Sequence, residues 1–279
     1  YYPIGVALSN VYGPVLPEFK VSVQATKASV ENLNLLQTGR GEVALTLGDA
    51  LSQAWAGNEE AGFKQPLTKL RGISAMYSNY IQIVARADAG IKSLKDLKGK
   101  RISVGAAKSG TELNARAVLA AAGIQYKDFS KVEYLPYAES VELLKNRQID
   151  VTLQSAGLGN PALRDLASSV DIVFVPVPAD VIKKIGDKAY LPATIPADTY
   201  KGQSAAVPTT SIVNFLVTHE GVSADTVYKM TKAMFENLDK LVAAHAAAKG
   251  VKLENAAAAM PIPLHPGAEK YYREKGLIK

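Results

Sequence analysis

The residues best suited to bind a ligand form the segment Ser109-Gly110-Thr111-Glu112, which follows a short apolar run at residues 102–104. This order predicts a strand, a loop of small residues and a helix beginning at Ser109, because Ser109 and Glu112 have capping-box spacing. The first helical turn exposes backbone N–H groups and the positive end of the helix dipole. The segment therefore predicts an anion site; the alternative is a strand-to-helix connection that binds nothing.

Nucleotide-binding motifs are excluded by the same segment. Gly105 and Gly110 have the glycine spacing of a phosphate-binding P-loop, but Thr111 follows Gly110 where that motif needs a lysine. Lys108 lies inside the loop instead, and no G-x-G-x-x-G follows a strand. The sequence predicts a site for a small anion and not for a nucleotide.

The composition excludes several other classes of site. The 279 residues carry a net charge of +6, but the basic residues form no concentrated patch with interleaved aromatics, which argues against nucleic-acid binding. The absence of cysteine excludes disulfides, thiolate metal sites and a cysteine nucleophile. No apolar run approaches the ~20 residues of a membrane span. The chain starts at Tyr1 without a signal peptide, and we expect a processed, exported protein.

Catalysis is the first alternative to binding, and the residue types argue against it. The three histidines, at positions 219, 245 and 265, have no metal-ligand spacing. Asp49 and Glu112 lie near predicted element ends, and a first-turn role at the helix dipole explains Glu112 better than proton transfer. We expect no enzyme activity, no metal and no cofactor.

Helical and strand patterns alternate along the chain, which predicts an α/β fold. Helices are predicted at residues 2–15, 29–37, 92–99, 223–248 and 268–275, and strands at 20–25, 42–47, 101–105 and 213–217, with two apolar pieces within 76–87. Residues 29–45 and 140–153 share a helix–turn–strand pattern, which favours two lobes of related construction. The alternative is a chance similarity between two helix–strand units. Lobe crossings are predicted near residues 83–85 and 204–207, giving a first lobe of 1–83 and 206–279 and a second of 84–205.

An ordered set of motifs resembles one known family. The motifs are Tyr1-Tyr2-Pro3-Ile4-Gly5, Thr26-x-x-Ser29-Val30-Glu31-Asn32, the run from Gly90 to Lys100, Gly105-x-x-x-Ser109-Gly110-Thr111, Tyr134-Leu135-Pro136-Tyr137, Gln148-Ile149-Asp150, Ala156-Gly157, Ile195-Pro196-Ala197-Asp198-Thr199-Tyr200, Val207-Pro208-Thr209 and the run from Pro261 to Gly267. The set is similar to the TAXI family, the solute receptors of tripartite ATP-independent periplasmic (TRAP) transporters. The resemblance implies a two-lobed type II periplasmic-binding-protein fold, a Venus flytrap that closes on a solute in its cleft, and no catalysis.

The chain departs from the pattern of that family at three places. Relatives usually have a strand and a Gly-rich loop before Tyr-Tyr-Pro, and that loop lines the cleft, so we expect one wall of the site to lie outside this sequence. Thr26-Lys27-Ala28-Ser29 stands where relatives tend to have Thr-Gly-Gly-Ser. Tyr77-Ser78-Asn79-Tyr80 stands where many have Tyr-Pro-Glu-Pro, so a difference in specificity is expected.

The predicted site combines two helix starts, residues 26–30 and 109–111, one from each lobe. Lys27 and Lys108 would each add a charge there, or else point to solvent. Asp49 or the backbone at Ala156-Gly157 would accept from an ammonium group. The full set of predicted ligand-binding residues is Tyr2, Thr26, Lys27, Ser29, Val30, Asp49, Asn79, Tyr80, Lys108, Ser109, Gly110, Thr111, Ala156 and Gly157.

These inferences and the resemblance together predict a monomeric periplasmic receptor. It would bind a small organic anion or acidic amino acid, such as glutamate, 2-oxoglutarate or another dicarboxylate, and deliver it to an ion-gradient-driven TRAP permease. The alternative is a ligand-sensing domain or a non-transport binding protein of the same fold; no DNA-binding helix pair accompanies it in this sequence.

Overall fold

The structure, a computed structural model, describes residues 1–279 and divides into two compact units. Unit 1 comprises Tyr1–Tyr77 and Val213–Lys279, and unit 2 comprises Ser78–Ile212. The divisions fall at other positions than the predicted crossings near residues 83–85 and 204–207. Each division lies inside a long strand that continues without a turn, so the sequence carries no local signal for it.

The helices and strands follow one another along the chain in an alternating order. They are α1 (Tyr2–Tyr12), α2 (Ser29–Gln37), β1 (Val43–Leu47), α3 (Gly48–Ala56), β2 (Leu70–Arg86), β3 (Arg101–Ser103), α4 (Gly110–Ala121), β4 (Lys131–Glu133), α5 (Tyr137–Lys145), β5 (Val151–Ala156), α6 (Pro161–Ser169), β6 (Ile172–Val175), α7 (Ala179–Ile185), β7 (Leu191–Ile195), β8 (Val207–His219), α8 (Ala224–Glu236), α9 (Leu238–Ala244) and α10 (Pro266–Glu274). Short 3₁₀ turns connect several of them.

Most predicted elements are confirmed, and α2 matches its predicted bounds at both ends. The shared helix–turn–strand pattern corresponds to α2–β1 in unit 1 and α5–β5 in unit 2. The two apolar pieces within residues 76–87 belong to one continuous strand, β2. The short helix predicted at 92–99 is a 3₁₀ turn over Leu94–Leu97.

Two predicted elements are wrong. Residues 20–25 alternate like a strand but form an extended loop, because Val21 packs on the core of unit 1 without a strand partner. The single long helix predicted at 223–248 is interrupted at Asn237, whose φ of −133° leaves the helical region. The Asn237 side chain donates to the carbonyl of Ala233 at 2.9 Å and so satisfies a group at the end of α8.

Strand pairing is antiparallel in unit 1 and mixed in unit 2. In unit 1, β1 pairs antiparallel with β8, from Val43 opposite Thr218 to Leu47 opposite Asn214. In unit 2, β5 pairs antiparallel with β2 and parallel with β3, which is in turn parallel to β4. Strand β6 adds to β2, and β7 adds to β8, both antiparallel. The short parallel strands of unit 2 are followed by helices, so helix starts lie at their carboxyl ends.

Each unit has its own apolar core. In unit 1, buried side chains of α1, α8 and α10 pack together, and Tyr272 donates from its hydroxyl to the carbonyl of Ile73 at 2.6 Å. In unit 2, α5 and α6 pack with Val84 of β2 and with Tyr200. None of the helices has the length and apolar character required to cross a bilayer.

All three histidines of the chain hold a turn in the same way. The Nδ1 atoms of His219, His245 and His265 each accept from the backbone N–H two residues further on, at 3.1, 3.1 and 3.2 Å. His265 is buried at the N-cap of α10, where its Nε2 lies 2.9 Å from the carbonyl of Val222. The ring must therefore be neutral, with its proton on Nε2.

Acidification is expected to destabilise the protein through His265. Burial lowers the pKa of His265, and the nearby charges of Arg71 and His219 lower it further. The hydrogen bond to the Val222 carbonyl acts in the opposite direction but is the smaller effect. Because the unfolded chain takes up this proton first, stability is complete above the ordinary histidine pKa of about 6.5 and declines as pH falls through it. Urea denaturation between pH 7.5 and 5 measures this decline.

The matched variant is His265→Asn, which keeps an N-cap acceptor but does not titrate. We expect His265→Asn to flatten the pH dependence of the unfolding free energy, and His245→Asn, at a histidine that holds its turn in the same way, to leave the His265 contribution in place. An unchanged slope in His265→Asn would contradict this assignment.

Candidate functional site

The start of α4, in unit 2, is where the sequence predicts an anion site. The Oγ of Ser109 accepts from the backbone N–H of Glu112 at 3.1 Å, so Ser109 is the N-cap as predicted. The Glu112 carboxylate does not return to Ser109; it binds Arg116 and accepts from the Tyr126 hydroxyl at 2.9 Å. The backbone N–H groups of Gly110 and Thr111 have no acceptor within the helix, and donors of this kind bind anions.

The loop before α4 depends on Gly105. This residue has φ of +89°, and a Cβ on it would lie 2.6 Å from the Cγ2 of Thr111. Only glycine lets the loop pass this close to the Thr111 side chain. Lys108, two residues before α4, also has a positive φ, of 63°, and its side chain is exposed. Of its two predicted roles, the structure shows the solvent-exposed one.

The hydroxyl of Tyr137 connects α4 to β5. It lies 2.5 Å from the Oγ1 of Thr111, donates to the carbonyl of Ser155 at 2.6 Å and accepts from the N–H of Ser155 at 3.2 Å. Burial raises the pKa of Tyr137 to about 12, so the phenol keeps its proton at neutral pH. Sequence reasoning quoted Tyr137 only as part of a motif and did not predict it as a site residue.

Predicted residues of β2 and β5 lie beside this connection. Asn79, which is buried, donates from Nδ2 to the same Ser155 carbonyl at 2.7 Å. Tyr80 is half-buried and lies opposite Ala156 in the strand pairing. The structure thus brings together Asn79, Tyr80, Thr111 and Ala156, which are far apart in the sequence.

The loop after Ala156, which begins with Gly157, is anchored by Tyr200. The Tyr200 hydroxyl accepts from the N–H groups of Gly159 and Asn160 at 3.0 and 3.3 Å. It donates to the Oε1 of Gln82 at 2.5 Å, which fixes the loop to β2. Tyr200 was likewise missed as a positioning residue, because its partners are distant in sequence.

In unit 1, polar side chains at the start of α2 are used mainly to hold the turn itself. Thr26 donates from Oγ1 to the Oδ1 of Asn32 at 2.6 Å and accepts from the N–H of Ala28 at 3.1 Å. The N–H of Lys27 donates to Glu31 at 2.5 Å, and the Lys27 side chain is exposed. Because the Thr26 hydroxyl donates its proton to Asn32, it has no proton left to donate to an anion.

The same helix start is joined to the end of β1. The Oγ of Ser29 accepts from the N–H of Leu47 at 3.1 Å, and Leu47 directly precedes α3. The buried Asp49 lies in the first turn of α3, where a carboxylate is favoured by the helix dipole. The starts of α2 and α3 therefore lie at one end of β1.

Two predicted residues of unit 1 have other environments. The Val30 side chain is buried, so only its backbone could face a ligand. Tyr2 is 56% exposed on α1.

Ala28 precedes α2 in a backbone conformation that disfavours any side chain. Its φ of 70° and ψ of −143° belong to a region essentially reserved for glycine. We expect Ala28→Gly to raise the free energy of unfolding by about 1 kcal/mol, measured by urea denaturation. The control is Ala120→Gly on the exposed side of α4, where the same change should cost about 1 kcal/mol. Destabilisation by both variants would contradict the strain at Ala28.

Gly105→Ala should disrupt the start of α4. We expect a loss of more than about 2 kcal/mol in the free energy of unfolding, since positive φ and the contact with Thr111 act together. Gly99→Ala is the matched control, because Gly99 has φ of +77° but open space around its Cβ. That variant should cost about 1 kcal/mol. Equal losses in the two variants would show that the close approach to Thr111 is unimportant.

Solved structures of other proteins share this fold. PhnD1 from Prochlorococcus marinus in complex with methylphosphonate is 13% identical, with a TM-score of 0.63 over 98% of this chain and 92% of that chain. XAC2383 from Xanthomonas citri bound to ATP is 13% identical, with a TM-score of 0.56 over 99% and 93%. The periplasmic aliphatic sulphonate binding protein SsuA from Escherichia coli is 15% identical, with a TM-score of 0.50 over 90% and 72%.

At these identities the likenesses establish the fold alone. It is the α/β fold of type II periplasmic binding proteins, as the resemblance to the TAXI family implied. The family profile gives the closer assignment, because it matches residues 1–276. The chain belongs to the NMT1-like family.

Proposed function

We propose that this protein is a solute-binding receptor for a small organic anion and that it has no catalytic role. The observation that carries the proposal is the start of α4. There, the N–H groups of Gly110 and Thr111 have no acceptor within the helix, and the Thr111 side chain is already fixed by Tyr137. A group that is positioned before the ligand arrives loses little entropy on binding.

The energetics require several such groups to act together. A helix start contributes about 0.3–1 kcal/mol to binding an anion when exposed and up to ~2 kcal/mol when partly buried. Removing a carboxylate from water costs several kcal/mol, so charge-assisted hydrogen bonds must supply the rest.

The ligands of the three fold relatives described above each carry an oxyanion. PhnD1 holds methylphosphonate, XAC2383 holds ATP, and SsuA is a sulphonate-binding protein. For this chain we propose a carboxylate, such as glutamate, 2-oxoglutarate or another dicarboxylate, because the motif set resembles the TAXI family. The same resemblance supports an extracytoplasmic location and delivery to a TRAP-type permease. A ligand-sensing role would use the same site.

A thermal-shift screen of protein refolded from denaturant, and so free of metabolites, tests the proposal. The ligands are succinate, glutarate, 2-oxoglutarate, malate and glutamate, with methylphosphonate and an alkanesulphonate as competing classes. A carboxylate at about 1,000 times its Kd should add about 4 kcal/mol of stability and raise Tm on the order of 10 °C. If only the phosphonate or the sulphonate raises Tm, the ligand belongs to that class and not to the carboxylates. If no anion raises Tm, the proposal is contradicted.

Two threonine variants locate the effect in the protein. Thr111→Val removes the hydroxyl at the start of α4 and should weaken binding about tenfold, the usual effect of one lost hydrogen bond. Thr199→Val removes an exposed hydroxyl that donates to the Pro196 carbonyl at 2.7 Å, and it should leave the ligand-induced shift unchanged. Equal losses in both variants would contradict a role for α4.

A further inference from the structure

Unit 2 has a groove between α5 and α6 that the predicted anion site does not use. The groove has a volume of about 580 Å³, and its apolar lining consists of Leu135, Ala138, Val141, Leu143 and Ala162. None of these is a predicted ligand-binding residue, and Ala138 lies exposed on α5. The groove is therefore a separate apolar surface that solvent reaches.

All of the charged residues that line this groove are acidic. They are Glu133 from β4, Glu139 and Glu142 from α5, and Asp165 from α6. Glu139 and Glu142 are three residues apart and so lie on one face of α5. The chain as a whole carries a net charge of +6, so the groove is opposite in sign to the rest of the protein.

The lysines of the chain neutralise these carboxylates only in part. The Nζ of Lys131 lies 2.5 Å from Glu133, and the Nζ of Lys145 lies 2.9 Å from Glu142 and 2.5 Å from Asp165. Two lysines thus serve four carboxylates, which leaves the groove negative. The side chains of Glu142 and Asp165 are 61% and 58% exposed, and exposed ion pairs contribute little, so the cations of a partner can join or replace them.

An occupant of this groove must be apolar in the middle and cationic at its edges. Lysine and arginine combine the two properties, because their aliphatic stems lie along apolar surfaces while their charged ends reach carboxylates. A small inorganic cation would leave the apolar lining uncovered, and an uncharged segment would leave the carboxylates unpaired. The helices α5 and α6 have nine residues each, about 13 Å, which matches roughly two to three turns of a helix laid between them.

We infer that the groove between α5 and α6 is a docking surface for a basic amphipathic helix of a partner protein. The apolar face of that helix would cover Leu135, Ala138 and Leu143, and its lysines or arginines would pair with the carboxylates on α5 and α6. The inference goes beyond the proposed function, since it concerns a surface outside the predicted anion site and requires no bound solute.

Fluorescence anisotropy with a labelled model peptide tests the inference. The peptide has about 14 residues, with leucines at helical spacing and arginines beside them. We expect it to bind the intact protein with a Kd on the order of 10 μM, as befits a small interface, and to bind at least severalfold more weakly in about 0.5 M NaCl. Two control peptides, with glutamate for arginine or serine for leucine, should not bind.

Two matched pairs of variants locate the peptide on the protein. Ala138→Arg places a cation and a long side chain in the groove and should weaken binding at least tenfold. Ala120→Arg adds the same charge at an exposed position of α4 and should leave Kd unchanged.

The second pair keeps the test valid if Ala138→Arg does not fold. Glu139→Gln with Glu142→Gln should weaken binding about tenfold through the loss of two ion pairs. Glu59→Gln with Glu60→Gln changes the net charge equally at an exposed turn of unit 1 and should have no effect.

Three results would overturn the inference. They are no binding of the arginine peptide, equal binding of the glutamate or serine peptide, and equal effects of the groove variants and their controls. Sedimentation of the protein alone covers the remaining occupant. If the protein forms a dimer that Ala138→Arg dissociates, the groove binds a second copy of this chain and not a separate partner.

Discussion

The hydroxyl of Tyr137, in unit 2, joins three elements through its hydrogen bonds. It binds the backbone of Ser155 in β5 and the side chain of Thr111 in α4, and Tyr137 itself is the first residue of α5. Thr111 and Ser155 are both buried, and buried polar groups are costly when they lack a hydrogen bond. The position of the α4 start therefore follows from this phenol as much as from the helix itself.

The two units use their helix starts differently. At the start of α2, Thr26, Ser29 and Asn32 all bind groups of unit 1, so their side chains serve mainly to attach the helix to β1. At the start of α4, the Ser109 side chain caps the helix, and the N–H groups of Gly110 and Thr111 have no acceptor within the helix. Local sequence looks similar at the two places, while the hydrogen-bond partners are set by tertiary structure.

This difference explains what the sequence could predict. Caps and apolar periodicity act within a few residues, so α2 and the Ser109 cap were predicted correctly. Tyr137 and Tyr200 were missed because their partners lie 18 to 118 residues away. Residues 20–25 were mistaken for a strand because alternation alone does not reveal whether a neighbouring strand exists. The break between α8 and α9 involves only Asn237, and the apolar periodicity continues across it, so the sequence pattern does not reveal the break.

The incomplete first turn of α4 also gives the protein an internal reporter. Amides that donate to a protein acceptor, such as those of Ser155 and Gly159, exchange with solvent deuterium only when their surroundings open. The amides of Gly110 and Thr111 have no such bond to break, so their exchange depends on solvent access and on whatever occupies the site. Deuterium uptake at two adjacent residues would thus record occupancy directly, without a label and without knowledge of the ligand.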